Sequence, residues 1–327
     1  MPVLRPSARP APLDLGTLRR AWPTPPVSRF APAPTGHLHL GHLVNAVYTW
    51  GVTRALGGRV LLRIEDHDRA RSRPAFERAM LDDLDWLGFV PDAPPIAAFA
   101  AGPCEGRQSD RTAVYEAALA ELRAQGLVYA CRCSRAEIRA AAGPAGAELR
   151  YPGTCARLAL PEARGCGLRV RLAPSVERFD DLMHGPQVQR PHEQCGDLLV
   201  RDRNGCWTYQ FVAAVDDLRQ GVTLVVRGDD LLASTGRQIQ LGRLLGRRES
   251  ARFLHHPLIM KSATQKLSKS DGDGGIRELR AAGWTAPQVI GRAAALAAVI
   301  AAARPVRAAD VGSLLFGPPA GGGPPVT

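Results

Sequence analysis

The chain has 327 residues, enough for one large domain and a small one. Its net charge of +11 and pI of about 9.9 favour a polyanionic partner such as RNA, although a high-GC coding bias would raise the arginine content equally well. Aromatic residues make up only 6%, which argues against a base-stacking platform for single strands. No apolar run is long enough to span a membrane. Seven cysteines without a signal peptide indicate reduced thiols and a candidate metal site, not disulfides.

The predicted elements begin after a proline-rich extension, residues 1–28, which we expect to be disordered. Two strands and two helices then alternate: Val27–Ala31, residues 41–56, Arg59–Ile64 and Pro74–Leu87. The last of these is amphipathic and has proline near its first turn. This strand–helix–strand–helix order predicts an α/β fold with a parallel, doubly wound sheet whose first half covers residues 29–130.

Residues 131–186 are short pieces punctuated by cysteine and proline, and we interpret them as an insertion. Residues 187–317 form the predicted second half of the domain. Its elements are a hairpin turning at Asn204-Gly205 before Trp207–Phe211, a strand at Val222–Arg227, a helix at Ser234–Leu245, a strand at Leu258–Met260 and C-terminal helices. The tail, residues 318–327, is of low complexity and is predicted to be disordered.

The segment Pro34–His42, PTGHLHLGH, places two histidines at the start of a predicted helix. His39 and His42 are three residues apart and therefore share a face. A helix N-terminus offers free amides and the positive end of a dipole to phosphates, and Gly41 would let a nucleotide approach the backbone. The segment predicts an ATP site, with a mere loop–helix junction as the simpler alternative.

A second signature, KLSKS at residues 266–270, carries two lysines beside a glycine-rich stretch. Such a loop can close over a nucleotide. Lys269, assisted by Lys266, would stabilise the charge that builds on the α-phosphate and the departing pyrophosphate. In isolation the segment could be a solvated basic loop. Together, the two signatures predict an enzyme that activates a carboxylate with ATP.

Four motifs in order resemble those of class I aminoacyl-tRNA synthetases, and of the glutamyl branch in particular. They are RFAPAPTGHLHLGH from Arg29, RIEDHDRAR from Arg63, QSDR from Gln108, and KLSKS. The resemblance covers residues 29–315. It implies a Rossmann-type catalytic domain split by an insertion, with Mg²⁺ accompanying ATP.

A glutamate pocket needs cations for two carboxylates and an anion for the ammonium. Arg29 and Arg227 suit bidentate carboxylate recognition, Glu65 can pair with the ammonium, and Tyr209 can form a hydrogen bond. These four positions match the glutamate-binding residues of the family by motif. The same predicted pocket includes the segment after Arg29, which is Phe30, Ala31, Pro32 and Ala33.

Each of these positions also has a simpler explanation. Arg227 could be a surface arginine at a strand end, and Glu65 an exposed acid. The pair Asp216-Asp217 could form a metal site, but we favour structural hydrogen bonding for it. Cys104, Cys166, Cys195 and Cys206 lack metal-binding spacing and are predicted to be ordinary thiols.

A cysteine pair, Cys131-x-Cys133, is followed by Tyr151-x-x-x-Cys155. The pair alone leaves a metal site and buried free thiols equally open. A small branch of the family, the glutamyl-queuosine tRNA(Asp) synthetases, binds zinc with a CxC pair, a tyrosine and a cysteine in this order. The resemblance therefore implies one zinc ion on these four residues, with water as an alternative to Tyr151, and we expect its role to be structural.

Only 57 residues follow Ser270, fewer than the hundred or so that a separate anticodon-binding domain would need. This favours the glutamyl-queuosine branch, which forms glutamyl-adenylate and esterifies the queuosine base of the tRNA(Asp) anticodon. The expected partners are ATP, L-glutamate and queuosine-containing tRNA(Asp), for a cytoplasmic monomer. The alternatives are a truncated glutamyl-tRNA synthetase that charges the 3′ end of tRNA, a small-molecule nucleotidyltransferase and a non-catalytic RNA-binding paralogue.

Overall fold

The computed structural model describes residues 5–6, 13–22, 24–142, 148–260 and 275–316. The helices of this part are α1 (Leu15–Ala21), α2 (Leu40–Ala55), α3 (Pro74–Leu87), α4 (Thr112–Ala124), α5 (Arg135–Ala142), α6 (Pro191–Cys195), α7 (Tyr209–Arg219), α8 (Thr235–Leu244), α9 (Ile276–Ala281), α10 (Ala286–Leu296) and α11 (Val311–Phe316). Its strands are β1 (Arg5–Pro6), β2 (Val27–Phe30), β3 (Arg59–Leu62), β4 (Val128–Cys131), β5 (Gly167–Val170), β6 (Glu177–Asp181), β7 (Gly185–Gln189), β8 (Leu198–Arg201), β9 (Leu224–Gly228), β10 (Arg252–His256) and β11 (Ile259–Met260). Within these residues no helix is both long and apolar enough to cross a bilayer.

The central layer is a mostly parallel sheet. One part has the order β7-β6-β10-β9, in which only β7 is antiparallel, and the other is the parallel pair β2-β3. The two parts adjoin where the amide of Thr223 donates to the carbonyl of Val27 at 2.8 Å. After β2 the chain continues to β3 on one side of this junction, and after β9 it continues to β10 on the other side. The carboxyl ends of β2 and β9 therefore flank the switch point of a doubly wound sheet, as the sequence predicted.

Burial explains why these segments form the central strands. Leu224, Val225 and Val226 of β9 are all buried, which is typical of a parallel strand covered on both faces. Helix α3 begins with Pro74 and ends at Gly88, whose φ of 78° is the left-handed conformation of a helix C-cap. Its predicted bounds are confirmed.

A smaller antiparallel sheet, β4-β5-β8, lies apart from the central one. Residues 131–186 were predicted as one insertion, but β6 and β7 join the central sheet. The small sheet is completed instead by β8, which comes from the predicted second half. Sheet membership depends on pairing between strands distant in sequence, and composition does not reveal this pairing.

Two further predictions made from sequence are wrong in part. Residues 15–21 of the extension form helix α1, because Asp14 caps it by accepting the amide of Thr17 at 2.9 Å and Leu18 packs into the main core. The hairpin beyond Gly205 is limited to one bridge between Arg201 and Trp207. Helix α7 begins at Tyr209, and its buried apolar residues pack with those of α4 and the small sheet.

The C-terminal helices close one face of the sheet by packing on α2 and α3. Gly51 in α2 makes this contact with α11 close. A Cβ atom there would lie 2.4 Å from Leu315 Cδ1 and 3.2 Å from the carbonyl oxygen of Val311. Any larger residue at position 51 would push the two helices apart.

Candidate active site

A cavity of about 510 Å³ opens at the switch point between β2 and β9. All the predicted glutamate and ATP residues that the structure describes line it: Arg29, Phe30, Ala31, Pro32, Ala33, His39, Gly41, His42, Glu65, Tyr209 and Arg227. Lys266 and Lys269 lie outside the described residues. Two motifs almost two hundred residues apart thus meet at one place, where open α/β sheets generally bind their ligands.

Arg29 extends from β2 and is held rigidly. Its Nε donates to Asp217 Oδ1 at 3.0 Å, and its Nη1 donates to the carbonyl of Val226 at 3.0 Å. Asp217 also accepts from Arg63 Nη2 at 2.6 Å. Burial alone would raise the pKa of Asp217, but the two guanidinium groups lower it to about 2. This carboxylate is therefore ionised, and it is already shared between two buried cations.

The neighbouring carboxylate, Asp216, is fully buried and saturated with donors. It accepts from Arg111 Nε at 2.8 Å, from Gln108 Nε2 at 2.8 Å and from the Tyr115 hydroxyl at 2.9 Å. Neither acid belongs to a group of potential metal ligands in the described part of the chain. Both acids form buried hydrogen bonds, which is the structural role favoured for Asp216-Asp217 from the sequence.

Arg227, near the end of β9, is bound by neutral acceptors. It donates to His255 Nε2 at 2.9 Å, Gln238 Oε1 at 2.6 Å and Thr235 Oγ1 at 2.8 Å. Among the described residues, no carboxylate forms an ion pair with it. Burial lowers the pKa of Arg227, yet a guanidinium stays protonated in proteins. A buried cation without a counter-ion suits an anionic ligand.

Glu65 supplies negative charge to the same cavity. Its amide donates to the carbonyl of Pro32 at 3.0 Å, and its Oε1 lies 3.7 Å from Arg63 Nη1. Burial raises the pKa of Glu65, and the nearby cations Arg63 and Arg29 oppose this rise. Tyr209 stands at the start of α7, where burial raises the pKa of its hydroxyl and keeps it neutral. The cavity thus combines two cations, an acid and a phenol.

The two histidines of the HLGH motif cap helix α2. The Nδ1 atom of His39 accepts the amide of Gly41 at 3.0 Å, and that of His42 accepts the amide of His39 at 3.1 Å. In a neutral ring the proton is then on Nε2, so each histidine carries one N–H donor. A Cβ on Gly41 would lie 2.8 Å from His39 Cε1. A side chain at position 41 would therefore displace the His39 ring from its place at the start of α2.

Sequence reasoning did not find the residues that hold Arg227 in place. His255 lies on β10, and Thr235 and Gln238 lie on α8. It also missed Asn45 and His256, which line the cavity and approach each other at 3.1 Å. The position of His255 and His256 at the carboxyl end of the parallel strand β10 was the available signal, but no family motif marked any of these residues.

A thiol cluster lies at the end of β4, beside the small sheet. The Sγ atoms of Cys131, Cys133 and Cys155 all lie within 4.8 Å of one another, and those of Cys133 and Cys155 are 3.4 Å apart. The Tyr151 hydroxyl is 3.5 Å from Cys131 Sγ. Tetrahedral zinc would place two sulfurs roughly 3.8 Å apart and a sulfur and an oxygen roughly 3.5 Å apart. The donor set therefore fits a metal ion of this kind.

The fold and the site together define the catalytic domain of a class I tRNA synthetase. A family model described as tRNA synthetases class I (E and Q), catalytic domain, matches residues 27–293. Curated relatives named glutamyl-Q tRNA(Asp) synthetase are similar along most of their length. That of Symbiobacterium thermophilum is 43% identical over 85% of this chain and 88% of the relative. That of Nitratidesulfovibrio vulgaris is 40% identical over 83% of this chain and 86% of the relative.

A solved structure of a glutamate tRNA ligase from Elizabethkingia meningosepticum, in complex with its amino acid, superimposes with a TM-score of 0.64 and 29% identity. The match covers 76% of this chain and 53% of that one, so the chain spans about half the length of the solved ligase. On these similarities the chain belongs to the glutamyl-Q tRNA(Asp) synthetases within the class I family.

Proposed function

We propose that this protein activates L-glutamate with ATP, without tRNA, and then transfers the glutamate to the queuosine base at the wobble position of tRNA(Asp). The observation that carries this proposal is the single cavity in which Arg29, Arg227, Glu65 and the HLGH histidines meet. The names of the relatives support the choice of acceptor.

In the first step the α-carboxylate of glutamate attacks the α-phosphorus of ATP, and pyrophosphate leaves. Arg29 and Arg227 hold the two carboxylates, Glu65 pairs with the ammonium, and Tyr209 completes the pocket by a hydrogen bond. The rigid support of both guanidinium groups fixes the attacking oxygen, so catalysis depends on positioning and not on a covalent enzyme intermediate.

The ATP phosphates lie at the N-terminus of α2 in this proposal. The Nε2 donors of His39 and His42, together with the helix dipole, stabilise their negative charge. On sequence grounds alone, we assign to Lys269 and Lys266 the role of stabilising the negative charge on the α-phosphate and on the leaving pyrophosphate. Mg²⁺ enters with ATP.

In the second step a queuosine hydroxyl attacks the acyl carbon of glutamyl-adenylate. The new ester bond replaces the acyl–phosphate bond, and AMP leaves with the bonding electron pair. We further propose that zinc occupies the cluster of Cys131, Cys133, Tyr151 and Cys155, where it would connect the end of β4 to the following loop and have no part in either step.

Pyrophosphate exchange into ATP tests the activation step. We expect exchange that requires glutamate, needs no RNA and fails with glutamine, whose neutral amide cannot neutralise an arginine. Arg227→Gln should abolish the exchange while the protein keeps its native circular dichroism. Exchange supported equally by glutamine, or dependent on added tRNA, would contradict the proposal. Light scattering of the purified protein would test whether it is the monomer we expect.

A further inference from the structure

A buried chain of hydrogen bonds extends behind Arg227. His255 is 0% exposed, and its Nδ1 lies 2.6 Å from Asp181 Oδ2 while its Nε2 receives the Nε–H of Arg227 at 2.9 Å. Asp181 is in turn fixed by the turn that follows β6, since its Oδ1 accepts the amides of Met183 at 3.0 Å and His184 at 3.1 Å. The carboxylate, the imidazole and the guanidinium lie on three adjacent strands, β6, β10 and β9.

This arrangement determines the tautomer of His255. A guanidinium has only donors, so the Nε–H of Arg227 requires Nε2 of His255 to carry no proton. The single proton of the neutral ring must then be on Nδ1, where it is donated to Asp181. Burial and the Arg227 cation lower the pKa of His255 despite the Asp181 carboxylate, so the ring stays neutral. The opposite tautomer would set two N–H groups against each other.

We propose that Asp181 and His255 are positioning residues for substrate recognition: Asp181 selects the His255 tautomer that orients Arg227 toward a glutamate carboxylate. Of the three side-chain acceptors on Arg227, His255 is the one linked directly to a buried carboxylate. The negative charge of Asp181 thus acts on the Arg227 cation through one imidazole without occupying the place of the substrate carboxylate. This inference rests on the proposed role of Arg227 in binding glutamate.

The substitution Asp181→Asn tests the selection of the tautomer. With its amide oxygen accepting the backbone amides of Met183 and His184, the asparagine turns its NH₂ group towards Nδ1 of His255 and also towards the backbone amide of His255, which Asp181 Oδ2 accepts at 3.1 Å. The reverse orientation would set the NH₂ group against the amides of both Met183 and His184 and is less favourable still. The ring must then accept at Nδ1 and carry its proton on Nε2, where it opposes Arg227. An aspartate-to-asparagine change acts on the histidine of a serine-protease triad in this same way.

We expect Asp181→Asn to lower kcat/KM for glutamate in the exchange assay by about 10- to 100-fold, which corresponds to losing one hydrogen bond to a charged group. The loss should be mainly in KM for glutamate, because Arg227 binds the carboxylate in the ground state and the transition state alike. KM for ATP should not change. Parallel losses for both substrates would indicate general damage to the fold and would overturn the proposal.

A double-mutant cycle separates orientation from structural support. The glutamine side chain introduced by His255→Gln can present an oxygen to Arg227 and has no tautomer to select, so this variant should retain much of the activity. In that background Asp181→Asn should have little further effect on KM for glutamate. An equal loss in both backgrounds would show that Asp181 acts independently of the histidine tautomer.

NMR of the wild-type enzyme with isotope-labelled histidine gives an answer even if Asp181→Asn fails to fold. The signal of His255, assigned by its loss in His255→Gln, should show the proton on Nδ1, and a proton on Nε2 would refute the inference. The two proposals are also separable. If the wild type shows no glutamate-dependent exchange, the proposed function fails. If exchange is normal and unaffected by Asp181→Asn, only the present inference fails.

Discussion

Replacing Asp217 with asparagine should destabilise the fold more than any exposed ion pair could. Asp217 Oδ1 binds Arg29 at 3.0 Å and Arg63 at 2.6 Å, and both arginine side chains are almost completely buried. The neutral amide leaves the buried guanidinium of Arg29 without its carboxylate partner, whereas Arg63 keeps Glu65 at 3.7 Å and Asp216 at 3.8 Å. Removing one partner of a buried ion pair typically costs about 3–5 kcal/mol.

The pKa of Asp217 gives a lower bound for this effect. It falls from 3.8 to about 2 on folding, which corresponds to about 2 kcal/mol of stability. Because the folded-state pKa is the lower one, this stability is present above about pH 4 and is lost as the pH falls towards 2. Replacing Asp217 with asparagine destabilises the fold more than protonating Asp217 does, because the NH₂ group of asparagine can face an arginine donor.

Chemical denaturation near neutral pH measures the free energy of unfolding directly. Asp310→Asn is the matched control, because Asp310 binds Arg307 at 2.8 Å on the exposed surface and the same substitution there should change nothing measurable. A loss below about 1 kcal/mol for Asp217→Asn would refute the account of a charge network that holds Arg29 in place.

Three further predictions concern individual parts of the site. Burial raises the pKa of Glu65, so its side chain becomes protonated at a higher pH than an ordinary glutamic acid. We therefore expect KM for the substrate glutamate to rise as the pH is lowered through that range. If Glu65→Gln showed the same dependence of KM on pH, this prediction would be contradicted. Gly41→Ala should displace the His39 ring and raise KM for ATP more than KM for glutamate, whereas equal changes would argue against an ATP role for the motif. Cys131→Ser should lower both the metal content and the melting temperature of the purified protein, and Cys104→Ser serves as the control. An undiminished zinc content in Cys131→Ser would count against the site.

The sequence motifs predicted the cavity more completely than they predicted the fold around it. Arg29 and Arg227 were matched as members of one pocket because each belongs to a recognisable motif, and both end at the same switch point. The supports of Arg227 were not predictable in this way. Asp181 and His255 are separated by 74 residues and meet only because β6 pairs with β10.

Predictions from local sequence patterns were correct for α3 and β9, where the pattern of apolar residues within the segment matches the pattern of buried residues. They failed where a long-range contact decides the outcome. Helix α1 forms because Leu18 finds a place in the main core, and residues 207–211 leave the hairpin because the apolar residues of α7 pack against α4. The KLSKS lysines lie outside the described residues, and their roles stay predictions.

The most direct test of the central claim compares glutamate transfer to two forms of the same RNA. Purified enzyme, ATP and labelled glutamate are incubated with tRNA(Asp) that contains queuosine or lacks it, with tRNA(Glu) as a third substrate. We predict incorporation into the queuosine-containing tRNA(Asp) alone. Equal incorporation into both forms of tRNA(Asp), or charging of the 3′ end of tRNA(Glu), would contradict the account.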